Sequence, residues 1–199
     1  MKALWNALTK NECTYHYEHP ACIHYIEQRI YELLCQYNPS HSRDLVFLCI
    51  GTDRATGDCL GPLVGTRLKS LHASAHVYGT LERPAHATNL HNVLGEIQDL
   101  FYDPLLVAVD ASLGRVDRVG YINVREGCLK PGTALNKSLP EVGDFHVSGV
   151  VNVGGFLDQM VLQNTRLYVV HRMAENIARS LNFALLRFHH QRDKVLASD

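Results

Sequence analysis

The chain has 199 residues, of which 46% are hydrophobic and 20% are charged, a composition typical of one globular domain. Its 19 basic and 20 acidic side chains give a formal net charge of -1, without the basic excess that nucleic-acid binding through phosphates requires. No apolar run reaches the ~18 residues of a membrane span, and the first residues lack a signal-peptide core. We therefore expect a cytoplasmic protein that binds neither nucleic acid nor membrane.

Helical and strand patterns alternate along the chain. Residues 1–20 show little periodicity, which predicts an N-terminal arm; residues 21–190 form the predicted single domain, and the polar residues 191–199 a frayed tail. Inside the domain, apolar spacing and turn residues predict a helix over 21–37, strands over 45–50, 76–80 and 105–110, helices over 62–71 and 88–101, an edge strand over 119–125, and helices over 149–162 and from 164 onward. A strand over 167–171 is the alternative for the start of the last helix.

This alternation predicts an α/β fold with three layers, in which helices cover both faces of a mostly parallel, twisted sheet. The runs at 45–50 and 105–110 are apolar throughout until their last residues, as in strands buried on both faces. The predicted architecture is that of phosphorylase-like and hydrolase-like proteins. In such sheets the ligand site lies beyond the carboxyl ends of the strands.

Two aspartates lie at that predicted edge. Asp58 belongs to a loop with three glycines that precedes a helix, and Asp110 ends the apolar run Val107-Ala108-Val109. Two carboxylates in one cleft repel each other, so one keeps its proton at a pH where the other is ionised. The protonated acid can then donate a proton while the ionised one activates water, which makes Asp58 and Asp110 the predicted catalytic pair. Each also has a purely structural interpretation, as a helix cap or as a buried, hydrogen-bonded carboxylate.

Further polar residues near the ends of the predicted strands are candidates for substrate binding. They are Thr52, Asp53, Gly57, Thr80, Glu82, Asp144 and His146. The last two precede the helix predicted from Gly149, whose free N–H groups suit an anion. Cys59 is a weaker candidate nucleophile. The same two aspartates can instead hold a divalent metal together with a nearby histidine, and the sequence leaves both uses open.

Five segments closely resemble the YyaC family of sporulation proteins. They are IGTDRATGDCLGPLVG at 50–65, VYGTLE at 77–82, DASLGR at 110–115, LPEVGD at 139–144 and VLQNTRL at 161–167. The resemblance implies a role in an endospore-forming bacterium. It also implies a fold similar to that of the germination protease and of the hydrogenase maturation endopeptidases.

The resemblance also implies roles for individual residues. The catalytic aspartates of the germination protease lie in a loop ending in Asp-x-Leu-Gly-Pro and at the end of a Val-Asp-Ala strand, positions that match Asp58 and Asp110. In the hydrogenase endopeptidases the equivalent acids and a histidine bind the metal of the immature substrate. That histidine matches His146 by approximate position.

Three hypotheses follow. The first is a forespore peptidase that needs no cofactor and acts on a peptide or protein, such as a spore protein. The second is a maturation endopeptidase that reads nickel or zinc through Asp58, Asp110 and His146. The third is a non-catalytic sporulation factor that binds a peptide or metabolite in the same crevice. The oligomeric state stays open.

Overall fold

The computed structural model describes residues 12–72, 75–131 and 139–196. Residues 1–11 of the predicted arm and 197–199 of the predicted tail lie outside these ranges. The elements in chain order are β1 (Glu12–His16), α1 (Cys22–Tyr37), β2 (Leu45–Cys49), α2 (Leu60–Leu71), β3 (His76–Tyr78), α3 (Leu90–Leu100), β4 (Leu105–Gly114), β5 (Tyr121–Glu126), β6 (Phe145–Val153), α4 (Asp158–Gln163) and α5 (Leu167–Leu196).

The described strands form one six-stranded sheet in the order β1-β5-β6-β4-β2-β3. Strands β3, β2, β4 and β6 run parallel to one another, and β5 is antiparallel to both of its neighbours, β6 and β1. Every residue of β2 is buried, as expected for a strand covered on both faces. The predicted three-layer α/β fold with a mostly parallel sheet is therefore confirmed.

Apolar side chains pack on both faces of this sheet. On one face α1, α2 and α5 contribute a large cluster that includes Ile30, Leu68 and Ile177. On the other face α3 packs through Leu90 and Ile97 against a smaller cluster that β2 and β4 supply. None of the helices in the described ranges could span a lipid bilayer.

The N-terminal segment differs from its prediction. Residues 12–16 form strand β1, which pairs with β5 from Glu12 opposite Arg125 to His16 opposite Tyr121. Cys13 and Tyr15 pack against the large core cluster, and this packing stabilises the strand. The five-residue alternation of apolar and polar side chains is by itself too short to predict a strand. The prediction of an irregular arm was wrong for these residues, and β5 is an inner strand and not the predicted edge.

The C-terminal third contains two further corrections. The helix predicted over 149–162 is instead the second half of β6, which ends at Val153, followed by the short α4. The valines of β6 favour a strand because β-branched side chains fit a pleated sheet, and the run is buried from Val147 to Val151. The last helix is confirmed over the alternative strand, and it continues to Leu196 through the tail predicted to fray from Gln191.

Candidate functional site

The two aspartates lie at the carboxyl end of the sheet, where β2 and β4 separate. Cys49 ends β2 opposite Val109 of β4, so the chain leaves the sheet beside Asp110 while β4 continues to Gly114. The loop after β2 then folds back, and Thr52 N–H donates to the Asp58 backbone carbonyl at 3.1 Å. Asp58 lies in the short 3₁₀ helix Gly57–Cys59, which leads into α2. The fold therefore brings together two acids that are 52 positions apart.

Glycines allow this loop to fold tightly against the end of β2. Gly51 has a φ of 142°, and a Cβ there would lie 2.0 Å from the Asp58 backbone oxygen. A Cβ on Gly61 would lie 2.0 Å from the backbone oxygen of Ile50. Only glycine permits both contacts, so these two residues hold Asp58 at the end of the sheet.

Replacing Gly61 by alanine is expected to destabilise the protein by about 3 kcal/mol or more, because the added methyl group meets rigid backbone that cannot move aside. Gly95→Ala is the matched control. A Cβ at Gly95 meets nothing within 4 Å, so alanine there is expected to stabilise α3 by up to about 1 kcal/mol. Urea unfolding of both variants measures the difference, and equal stabilities would contradict the packing described.

A crevice of about 230 Å³ opens above the two acids. Its polar lining residues are Asp58, His86, Asp110, Ser112 and Asp158, and Leu113 and Leu162 are among its apolar walls. A second hollow of about 380 Å³ lies beside it and shares Asp58 and His86. Asp58 and His86 thus lie between two hollows, an arrangement that suits a ligand extended to both sides of the acid pair.

The two carboxyl groups have different environments. Asp110 is 8% exposed, and this burial raises its pKa well above the usual value. Repulsion by Asp58 raises the pKa further. The Ala111 N–H, which donates to Oδ1 of Asp110 at 2.8 Å, opposes the rise. Burial also raises the pKa of Asp58, while the Thr52 N–H and His86 oppose that rise. Asp110 is therefore the acid that keeps its proton, and Asp58 the one that ionises first.

His86, Ser112 and Asp158 line this crevice but were not among the residues predicted from the sequence. His86 is the one that also lines the second hollow together with Asp58. It follows Ala85, whose backbone forms a parallel bridge with Ile50 and accepts the Gly51 N–H at 2.8 Å. The loop after β3 is one more loop at the carboxyl end of a parallel strand, which is the available signal. The predicted site residues of that loop are Thr80 and Glu82, whereas the residue that lies beside the two aspartates is four positions further along the chain.

The predicted substrate-binding residues of the loops after β2 and β3 do not line the crevice itself but lie around it. Thr52 lines the second hollow, Asp53 is exposed, and Gly57 is buried where a Cβ would approach Leu162 and Thr165. Thr80 and Glu82 line a separate hollow along β3, which meets the crevice only at His86.

Asp144 lies at the opposite end of the sheet, so its prediction as a crevice residue was wrong. It immediately precedes β6, and one of its carboxylate oxygens accepts the N–H of Leu106 at 2.8 Å, near the start of β4. Both oxygens also lie 3.3 Å from an Arg43 guanidinium nitrogen. The carboxylate therefore ties together the amino ends of two parallel strands.

Asp144→Asn is expected to lower the free energy of unfolding by about 1.5–3 kcal/mol, because it weakens charge-assisted hydrogen bonds that are largely shielded from water. The surroundings of Asp110 should stay unchanged, since Asp110 lies four positions beyond Leu106 along β4. Thermal unfolding measures the loss of stability, and NMR titration of the Asp110 carboxyl measures its surroundings. A shifted Asp110 titration in the variant without a loss of stability would contradict the structural role.

His146 was also wrongly predicted to face the crevice. It lies inside β6 opposite Ala108, two positions before the register of Asp110, and not at a helix N-terminus. Its Nδ1 is 2.9 Å from the carbonyl oxygen of Gly127, and burial lowers its pKa. The ring is thus engaged with the turn after β5.

The predicted metal set does not fit this geometry. His146 is absent from the residues that line the crevice, and no three His, Cys, Asp or Glu side chains among the described residues converge to hold a metal ion. The predicted role of His146 as a nickel or zinc ligand beside Asp58 and Asp110 was therefore wrong. Cys59 is no better suited as a nucleophile, because its thiol donates to the Thr56 carbonyl and burial raises its pKa to about 11.

Fold and site together define an α/β protein with a buried Asp110 and a half-buried Asp58 at the carboxyl end of a mostly parallel sheet. A family model described as "Protein of unknown function (DUF1256)" matches residues 16–180, and the chain belongs to that family. The uncharacterized protein YyaC of Bacillus subtilis (strain 168) is 51% identical over 141 residues, which cover 70% of this chain and 69% of that protein. The predicted membership of the YyaC family is thus confirmed.

One solved structure with a similar fold is the [NiFe] hydrogenase maturation protease HycI from Thermococcus kodakarensis KOD1. It aligns with a TM-score of 0.46 and 19% identity, and the alignment covers 71% of this chain and 92% of that one.

Proposed function

We propose that the protein is a peptidase in which Asp58 and Asp110 activate water against a peptide bond. One observation carries the proposal: two carboxyl groups line the same crevice, and Asp110 is the more deeply buried of the two. Burial therefore raises the pKa of Asp110 more strongly than that of Asp58. A pair of acids in opposite protonation states is what general acid–base hydrolysis requires.

The proposed reaction has two proton transfers. Water attacks the carbonyl carbon of the scissile bond while the Asp58 carboxylate accepts one of its protons. Asp110 then donates its proton to the leaving amide nitrogen, the C–N bond breaks, and a carboxylic acid and an amine result. Transfer of the proton from Asp58 to Asp110, directly or through solvent, restores the starting state.

The two hollows on either side of Asp58 favour an extended polypeptide as the substrate. In this proposal such a chain contacts Thr52, which lines the second hollow, and the exposed Asp53 beside it in sequence is a further contact. The absence of a side chain at Gly57 leaves room for Leu162 of α4, which lines both hollows. Thr80 and Glu82 border the continuation along β3. The resemblance to the YyaC family implies a spore protein as substrate and the forespore as its location.

The proposal is tested by incubating the purified protein with an extract of developing spores and identifying new peptide N-termini by mass spectrometry. We expect a defined set of termini with the wild type and none with the double variant Asp58→Asn/Asp110→Asn. Added nickel or zinc should leave this set unchanged. Identical spectra for both proteins would favour the non-catalytic hypothesis, in which Asp58→Asn also preserves the biological role.

A further inference from the structure

The loop between β3 and α3 holds a histidine against the acid pair. Its backbone is fixed at several points: the Ala85–Ile50 bridge anchors one side, and the Asn89 side chain accepts the His86 N–H at 2.8 Å. The same Asn89 side chain donates to the Pro84 carbonyl at 2.9 Å. Such a network makes the direction in which His86 leaves the backbone well defined.

The imidazole ring itself also has a defined partner. Its Nδ1 lies 2.9 Å from the hydroxyl oxygen of Thr88, so one of the two ring nitrogens is engaged by a residue that does not line the crevice. The ring lines the crevice and the adjacent hollow, in both cases together with Asp58. A histidine fixed through one nitrogen leaves the other to act on the group in front of it.

We propose that His86 is a positioning residue for Asp58, with Thr88 fixing the ring through Nδ1 and the opposite nitrogen directed at the Asp58 carboxylate. This inference rests on the proposed function. A donor on one carboxylate oxygen leaves the other oxygen aimed at the attacking water, and a base oriented by a third group recurs in hydrolytic sites. His86 transfers no proton in this scheme.

The kinetic test compares two substitutions of His86 with a control. His86→Leu is expected to lower kcat by about 10²-fold, the effect of a reacting group displaced by about 1 Å, while KM changes little. His86→Gln keeps a side-chain donor and should recover part of that loss, and Thr88→Val should give a smaller loss than His86→Leu. His91→Gln, at an exposed position of α3, should keep the full rate.

A second measurement is independent of activity. The ring ¹⁵N resonances of His86 are recorded by NMR in the wild type, Asp58→Asn, Thr88→Val and, as a distant control, Asp144→Asn. We expect the opposite-nitrogen resonance to move in Asp58→Asn, the Nδ1 resonance to move in Thr88→Val, and neither in the control.

The two measurements separate the possible failures. Unchanged His86 resonances in Asp58→Asn would overturn the positioning role whether or not the protein is a peptidase. Full kcat in His86→Leu would overturn it while leaving the aspartate mechanism intact. A wild type without peptidase activity but with the expected resonance shifts would sink the proposed function and leave the Thr88–His86–Asp58 arrangement established.

Discussion

Asp110→Asn and Asp58→Asn are each expected to reduce the rate of peptide hydrolysis by about 10²–10⁴-fold, the range for losing a general acid or base. An asparagine at position 110 has no proton of suitable acidity for the leaving amide. At position 58 it cannot accept one from water. Single-turnover rates on a peptide identified from the spore extract measure both effects in kcat.

The two losses should not multiply in the double variant. Residues that act as a unit in one step give strongly non-additive effects, so removing both acids should cost little more than removing the worse one. Asp117→Asn is the matched control, because Asp117 is exposed and pairs with Arg115 away from the crevice. A rate in either single variant within about twofold of the wild type would contradict its role in the acid pair.

The rate is expected to follow a bell-shaped dependence on pH. Hydrolysis needs Asp58 ionised and Asp110 protonated, so the rate should rise about tenfold per pH unit below the pKa of Asp58 and fall about tenfold per unit above that of Asp110. Both pKa values are raised, that of Asp110 the more strongly, so the optimum lies between them, above the range of ordinary aspartates. A rate that stays flat through this range would contradict the assignment.

The free energy of unfolding should also depend on the titration of Asp110, and this can be measured without an activity assay. Because the pKa of Asp110 is higher in the folded than in the unfolded chain, its contribution is fully present below the unfolded pKa and is lost as pH rises through the folded pKa. The wild type should therefore lose stability with rising pH in that window. Asp110→Asn should show a smaller loss, because only the raised pKa of Asp58 then contributes. Urea unfolding at a series of pH values compares the two proteins.

The sequence located the acid pair because both aspartates are marked locally. Each follows a run of apolar residues that predicts a buried strand, and strands of a parallel sheet end at a common edge. The glycine loop before Asp58 adds a second local signal. The tight contact between Gly61 and Ile50, in contrast, becomes visible only when the loop is folded.

Most of the wrong predictions concern residues whose position depends on contacts with residues that are distant in the chain. Asp144 is a structural residue because it meets Arg43, 101 positions away, and no local pattern encodes that pair. Strand β1 exists through its pairing with β5, about 110 positions later. His146 was misplaced because glycine-containing β6 was interpreted as loop and helix, although its valines indicate a strand.

Hydrolysis in water enriched in ¹⁸O tests the central claim most directly. Wild-type protein and Asp58→Asn/Asp110→Asn are each incubated with the spore-extract proteins, and the new carboxyl termini are examined by mass spectrometry. The aspartate mechanism predicts termini that carry one ¹⁸O atom with the wild type and no new termini with the variant. Labelled termini formed equally by both proteins, or by neither, would contradict it.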